Sequence, residues 1–81
     1  MRIKIGGHIY KVLYVDLPAD DAGVVDKTKG IIFIDKNLTK SEKEATLIHE
    51  ILHIINSELD HVILDSLAQQ LHQVLKQNKL F

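Results

Sequence analysis

Apolar residues in the first 38 positions follow the patterns of β-strands. Residues 2–15 alternate at first and then become rich in β-branched and aromatic side chains, with Gly6-Gly7 between the two parts as a two-residue hairpin turn. The short runs at 24–26 and 31–34 indicate two further strands, the second buried on much of both faces. We therefore predict a small sheet of three to four strands within residues 1–38.

The segment between the second and third predicted strands has the composition of a loop. It spans Asp16 to Gly23, carries three aspartates and contains Pro18, which is the only proline of the chain. These aspartates lack the spacing and the closing glutamate of a calcium-binding loop. We therefore interpret the segment as a solvated connection.

From Thr39 onwards the apolar positions recur at the three- and four-residue spacing of helices. Thr39 and Glu42 fit the capping box that opens a helix, and Asp60 fits the N-cap of a second helix. The apolar positions are Ala45, Ile48, Leu52 and Ile55 in the first helix, and Ile63, Leu64, Leu67, Leu71, Val74 and Leu75 in the second. The pattern predicts helices at 39–57 and 60–78, the first packed between the sheet and the second helix.

Length and composition indicate a single small α+β domain over residues 1–81. Hydrophobic residues make up 46% of the chain and charged residues 26%, which is typical of a soluble globular protein. The formal net charge of −1 gives no electrostatic reason to expect nucleic acid or an anionic membrane as a partner. No apolar run reaches the ~18–20 residues that span a bilayer, and the N-terminus lacks the apolar region of a signal peptide. We therefore expect a cytoplasmic protein.

The first predicted helix contains the sequence H-E-x-x-H at His49, Glu50 and His53. One helical turn separates the two histidines, so both imidazoles can bind one zinc ion, and Glu50 is close enough to accept a proton from a water molecule at that ion. The chain has no cysteine, so a metal must be held by histidine and carboxylate side chains. The alternative is a metal-free helix whose histidines satisfy local hydrogen bonds.

A catalytic zinc ion takes a third protein ligand, which we expect from the second helix. In a tight helical hairpin, a rise of about 1.5 Å per residue returns positions 64–65 to the level of His53, which favours Asp65. His61 lies one helical turn earlier on the same side and is the alternative ligand. Either residue could instead hydrogen-bond a ligand histidine. We expect His72 to lie on the surface, outside the site.

Four stretches of the chain are specific enough to suggest a family. They are I-D-K-N-L at 34–38, T-L-I-H-E-I-L-H at 46–53, L-D-S-L-A at 64–68 and Q-V-L-K-Q-N at 73–78. With the order of strands before them, they resemble small phage and prophage proteins of the ImmA/IrrE-type zinc metallopeptidases, over nearly the whole chain. The resemblance implies a zincin-like fold, in which a small sheet packs on the metal-binding helix and a second helix follows.

The resemblance also assigns roles to individual residues. It implies that His49 and His53 are metal ligands and that Glu50 is the general base. The family's third ligand is a glutamate in a V-E-x-L-A pattern, and Asp65 stands at that position in this chain. Because aspartate is one methylene shorter, the second helix must approach more closely, or the metal is held less well, or His61 substitutes.

We therefore expect a zinc metalloendopeptidase with zinc held by His49, His53 and Asp65 and with Glu50 as general base. The resemblance implies a protein substrate, by analogy a phage-type regulatory protein. We also expect Asp35 or the strand at 31–34 to line the cleft and to pair with an extended peptide. The small size and the shorter third ligand also suit a metal-binding interaction module without hydrolytic activity. A plain α+β domain without metal would melt at the same temperature with and without EDTA.

Overall fold

A computed structural model describes residues 1–18 and 20–80. Ala19, within the predicted loop, and Phe81, the last residue of the predicted domain, lie outside the described residues. The elements are β1 (Arg2–Ile5), β2 (His8–Val15), β3 (Gly23–Asp26), β4 (Ile31–Asp35), α1 (Lys40–Ile55) and α2 (His61–Gln77). The predicted α+β class, with a sheet followed by two helices, is confirmed.

The four strands form one mixed sheet in the order β1-β2-β4-β3. The β1–β2 hairpin turns at Gly6, whose φ of 65° is a conformation that glycine adopts without steric cost. β2 runs parallel to β4, and β3 returns antiparallel to the other side of β4. The expectation that the strand at 31–34 pairs with a peptide is wrong, because both edges of β4 are already hydrogen-bonded. β1 and β3 are the edge strands.

The core lies between one face of the sheet and α1. Tyr10 and Val12 of β2 and Ile32 and Ile34 of β4 are buried there, as the two-residue period of adjacent strands requires. Helix α1 contacts β1, β3 and β4, and its other side packs against α2. The predicted central position of the first helix is confirmed.

Both helices begin at the predicted capping residues. The Thr39 hydroxyl accepts a hydrogen bond from the backbone N–H of Glu42 at 3.2 Å, and the Glu42 carboxylate accepts one from the backbone N–H of Thr39 at 2.9 Å. At α2, Asp60 Oδ1 accepts from the backbone N–H of Val62 at 2.7 Å. These contacts satisfy backbone donors that the first helical turn leaves without an intrahelical partner. Together they fix where each helix starts, and so the level at which α2 faces α1.

The predicted apolar face of α2 is only partly buried. Leu64 and Ala68 pack against α1 and are buried, whereas the neighbouring row of apolar side chains remains exposed: Ile63, Leu67, Leu71 and Val74. The reason is geometric, since α2 packs against one helix and not also against the sheet. No helix within 1–18 and 20–80 is long and apolar enough to cross a membrane.

A polar cluster joins the second turn of α1 to the C-terminal half of α2. His72 Nε2 lies 2.9 Å from Glu44 Oε1, and Lys76 Nζ lies 3.1 Å from the same oxygen. The His72 side chain is only 15% exposed and that of Glu44 11%. The expectation that His72 lies on the surface is therefore wrong, because its ring is held between the helices by this carboxylate.

Candidate metal centre

The residues of the H-E-x-x-H sequence lie on the side of α1 that faces β3 and the start of α2. Two adjoining clefts meet there, and both are lined by Gly23, His49, Glu50 and His61. Asp65 borders the first cleft, whose volume is about 370 Å³. The fold therefore brings all of the predicted site residues to one region, and the clefts give solvent a route to them.

Asp65 contacts the first histidine directly. Its Oδ1 lies 2.7 Å from Nδ1 of His49, while its side chain as a whole remains 59% exposed. The hairpin of helices thus returns Asp65 to the turn of α1 that carries His49, one helical turn before His53, whose level the rise per residue predicts. At this distance Asp65 is a hydrogen-bond partner of a candidate ligand.

His61, the first residue of α2, lies beside both histidines of α1. Its ring centroid is 6.2 Å from that of His49 and 5.7 Å from that of His53, with interplanar angles of 24° and 26°. Asp60, the preceding residue, caps the helix and so fixes the direction in which His61 leaves it. Both third-ligand candidates therefore lie at the site.

Glu50 is the only buried charged residue within 1–18 and 20–80, with 8% of its surface exposed. Desolvation by burial raises the pKa of Glu50 above its usual range, and the positive charges that His49 and His61 can carry offset part of this shift. A raised pKa makes the ionised carboxylate a better proton acceptor. Glu50 is thus suited to act as a general base.

His53 lines the second cleft together with Lys27 and His61, and it is partly buried. Burial is the main cause that lowers the pKa of His53, and the positive charges of Lys27, His61 and His49 act in the same direction. The lowered pKa favours the neutral ring, which is the form that binds a metal. Among the described residues, His53 Nδ1 is the one buried side-chain nitrogen or oxygen without a hydrogen-bond partner.

Gly23 is a site residue that the sequence interpretation missed, since it was assigned to the end of the loop. It is the first residue of β3, and a Cβ atom there would lie 2.8 Å from Cγ2 of Thr46 and 3.1 Å from Oε1 of Glu50. Only a residue without a side chain fits so close to α1. The only sign of this role in the sequence is that Gly23 directly precedes the β-branched pair Val24 and Val25.

The side chains at the site fit zinc by their chemistry. Three imidazoles and the carboxylates of Glu50 and Asp65 lie around the clefts, and nitrogen and oxygen are zinc's usual donors when no cysteine is present. The buried, unpartnered Nδ1 of His53 further indicates that a polar group belongs beside it. As they stand, however, no three His, Asp or Glu side chains in the described part of the chain converge on one ion position. A bound ion would require their side chains to rotate.

The fold and the site define the class: a small α+β domain with an H-E-x-x-H helix packed between a mixed sheet and a second helix. Residues 7–77 match the family described as the IrrE N-terminal-like domain, the peptidase family M78. The chain belongs to this family, and the suggested resemblance is confirmed. Membership supports a metallopeptidase-type activity in general terms. No curated protein and no solved structure matches the chain.

Proposed function

We propose that the protein is a zinc-dependent endopeptidase that hydrolyses peptide bonds of a protein substrate. His49 and His53 bind the ion, Glu50 is the general base and α2 supplies the third ligand. The sequence favours Asp65 for this last position and leaves His61 as the alternative. The observation that carries the proposal is the burial of the Glu50 carboxylate beside candidate metal ligands at an open cleft.

Each residue of the candidate site has a defined task in this proposal. A zinc ion at the site would supply a Lewis acid that polarises the scissile carbonyl and lowers the pKa of a water molecule toward ~7. The Glu50 carboxylate accepts the proton of the attacking water and then donates it to the leaving amine. Its burial and raised pKa support both steps, because a carboxylate with a pKa closer to neutral both accepts and releases a proton readily.

The edge strand β3 is the structural candidate for substrate binding. Its residues Gly23–Asp26 line the second cleft together with Glu50 and His53, and its outer edge is not paired within the sheet. An extended peptide that adds to this edge would pass beside the Glu50 carboxylate. The expected pairing with a peptide thus passes from the strand at 31–34, which lies in the interior of the sheet, to this edge. Phe33 of that strand does line the second cleft, as expected.

The substrate proposal extends the resemblance to phage and prophage proteins. We place the protein in the cytoplasm and take a phage-type regulatory protein as the substrate class. This part rests on analogy with the family, since family membership by itself does not specify a substrate. An unstructured general substrate therefore serves for the first test.

The test compares zinc-loaded wild-type protein with the Glu50→Gln variant on an unfolded protein such as casein. Glutamine keeps the shape of the side chain but cannot accept the proton, so we expect hydrolysis to be abolished while zinc remains bound. Glu58→Gln, an exposed residue in the turn between the helices, is the matched control and keeps wild-type activity. Full activity of Glu50→Gln would refute the assignment of the base.

A second candidate function is that of a metal-binding interaction module without hydrolytic activity. The observation that favours it is that Asp65, which stands where the family pattern has the longer glutamate, is hydrogen-bonded to His49. This module would bind zinc and a peptide at the β3 edge and leave the peptide intact. Peptide binding by zinc-loaded wild-type protein, with no cleavage after prolonged incubation, would select this function over the peptidase.

A further inference from the structure

We propose that His61 is the third metal ligand and that Asp65 is a positioning residue, which holds the imidazole of His49 through Nδ1. The inference concerns the ligand set of the metal site and rests on the proposed zinc-binding function. It reverses the preference that the sequence alone gives, in which Asp65 binds the ion. It also departs from the glutamate ligand to which Asp65 corresponds in the family pattern.

The contact between Asp65 and His49 carries the first half of the proposal. With Oδ1 2.7 Å from Nδ1, the carboxylate is placed to accept the proton of that nitrogen, and the other ring nitrogen, Nε2, is then left with its lone pair for a metal. Ligand histidines commonly donate their second N–H to a carboxylate, which fixes the tautomer and the orientation of the ring. Binding the ion through Asp65 would require this hydrogen bond to be weakened or lost.

The position of His61 carries the second half. Three imidazoles that share a tetrahedral zinc ion, at about 2.0–2.1 Å from each nitrogen, have ring centroids about 5 Å apart. The observed distances from His61 to His49 and His53, 6.2 Å and 5.7 Å, are only slightly longer. Small side-chain rotations of an exposed residue at the start of a helix can close this difference.

The remaining histidines do not compete for this role. Of the five histidines in the chain, His72 is paired with Glu44 at 2.9 Å, and His8 lies at the start of β2 and lines neither of the two clefts. His61 lines both clefts. The chain thus brings one further imidazole, and only one within the described residues, to the pair on α1.

The direct test is X-ray absorption spectroscopy of the zinc-loaded wild-type protein, in which multiple scattering counts imidazole ligands. We expect three imidazoles in the wild type, two in His61→Ala and three in Asp65→Ala. His61→Asn is a second variant that keeps a polar side chain at the helix start, and it should also show two. His8→Ala is the control for removing an exposed histidine, and it should show three.

Zinc affinity, measured by competition with a chromophoric chelator, gives a second readout. Asp65→Ala should weaken binding by about 10–100-fold, the usual effect of removing a partner of a ligand histidine. Asp65→Asn should recover part of this loss, because its amide oxygen still accepts from His49 Nδ1. His61→Ala should weaken binding more than Asp65→Ala, and the exposed Gln73→Ala on the same helix should have no effect.

The outcomes separate this inference from the proposed function. Two imidazoles and a carboxylate in the wild type, with the carboxylate lost in Asp65→Ala, would overturn the inference and leave the zinc peptidase intact. Three imidazoles without peptidase activity would support the ligand set and overturn the proposed hydrolysis. Absence of zinc binding by the wild type would overturn both.

Discussion

Gly23 lies so close to Glu50 that a Cβ atom at position 23 would come within 3.1 Å of Glu50 Oε1. The first residue of an edge strand therefore helps to set the position of the carboxylate that we propose as the general base. Thr46, one helical turn before Glu50, is closer still, with Cγ2 at 2.8 Å from the same hypothetical atom. The contact between β3 and α1 thus depends on the absence of a side chain at this point.

Gly23→Ala should destabilise the protein by about 1–3 kcal/mol, the usual cost of inserting a methyl group into a packed contact. Its peptidase activity should also fall, because Glu50 must move. Thr46→Ser removes the nearest methyl group, so the double variant Gly23→Ala/Thr46→Ser should recover much of the stability. Urea unfolding of Gly23→Ala, Thr46→Ser and the double variant measures the free energy of unfolding of each. Equal stability of Gly23→Ala and the double variant would show that Thr46 is not the obstacle.

Glu50→Gln should stabilise the metal-free protein at neutral pH. Because burial raises the pKa of Glu50 in the folded state, its contribution to stability is fully present below its usual pKa of 4.5 and is lost as pH rises through the raised value. Glutamine does not ionise, so the variant does not lose this stability as the pH rises. Thermal melts in EDTA from pH 4 to 8 should show the two proteins diverging as pH rises. Parallel curves would contradict the burial of the carboxylate.

Glu44→Gln should make the folded state less stable at neutral pH and less sensitive to acid. The hydrogen bond with His72 is the main cause that lowers the pKa of Glu44; burial opposes it, and the interaction with Lys76 lowers the pKa further. The stabilisation is therefore present above the usual pKa of 4.5 and is lost as pH falls through the lowered value. The melting temperatures of wild-type protein and Glu44→Gln are compared at pH 7 and at pH 3, and the difference between them should be larger at pH 7. A larger difference at pH 3 would contradict the role of this cluster.

Thr39→Ala should cost about 1 kcal/mol of stability, because it removes the acceptor of the capping box. Thr39→Ser keeps the hydroxyl and should restore most of the loss. Chemical unfolding of both variants measures the difference. An equal loss for alanine and serine would mean that the hydroxyl does not stabilise the start of α1.

The sequence predicts most of the elements because their signals are local. The hairpin at Gly6-Gly7, the capping box at Thr39 and the N-cap at Asp60 each depend on residues a few positions apart, and all three occur as predicted. The role of β4 at 31–34 could not be obtained in this way. Strand order depends on which strands pair, and the apolar run that marks a buried strand does not state which partners lie beside it.

The sequence likewise predicts only part of the candidate site. Helical spacing places His49, Glu50 and His53 together, and the rise per residue brings Asp65 level with them. Neither gives the orientation of a side chain, so the hydrogen bond from His49 to Asp65 and the approach of His61 are visible only in three dimensions. His72 was misplaced for a similar reason, since its partner Glu44 is on the other helix.

The measurement that tests the central claim most directly is the zinc content of the purified, untagged protein, determined by elemental analysis after dialysis. We expect about one zinc ion per chain, as three protein ligands and one open position require. The ion should be lost in the double variant His49→Ala/His53→Ala and retained in Glu50→Gln. Wild-type protein without zinc, even after reconstitution, would contradict the account and leave α1 as a structural helix.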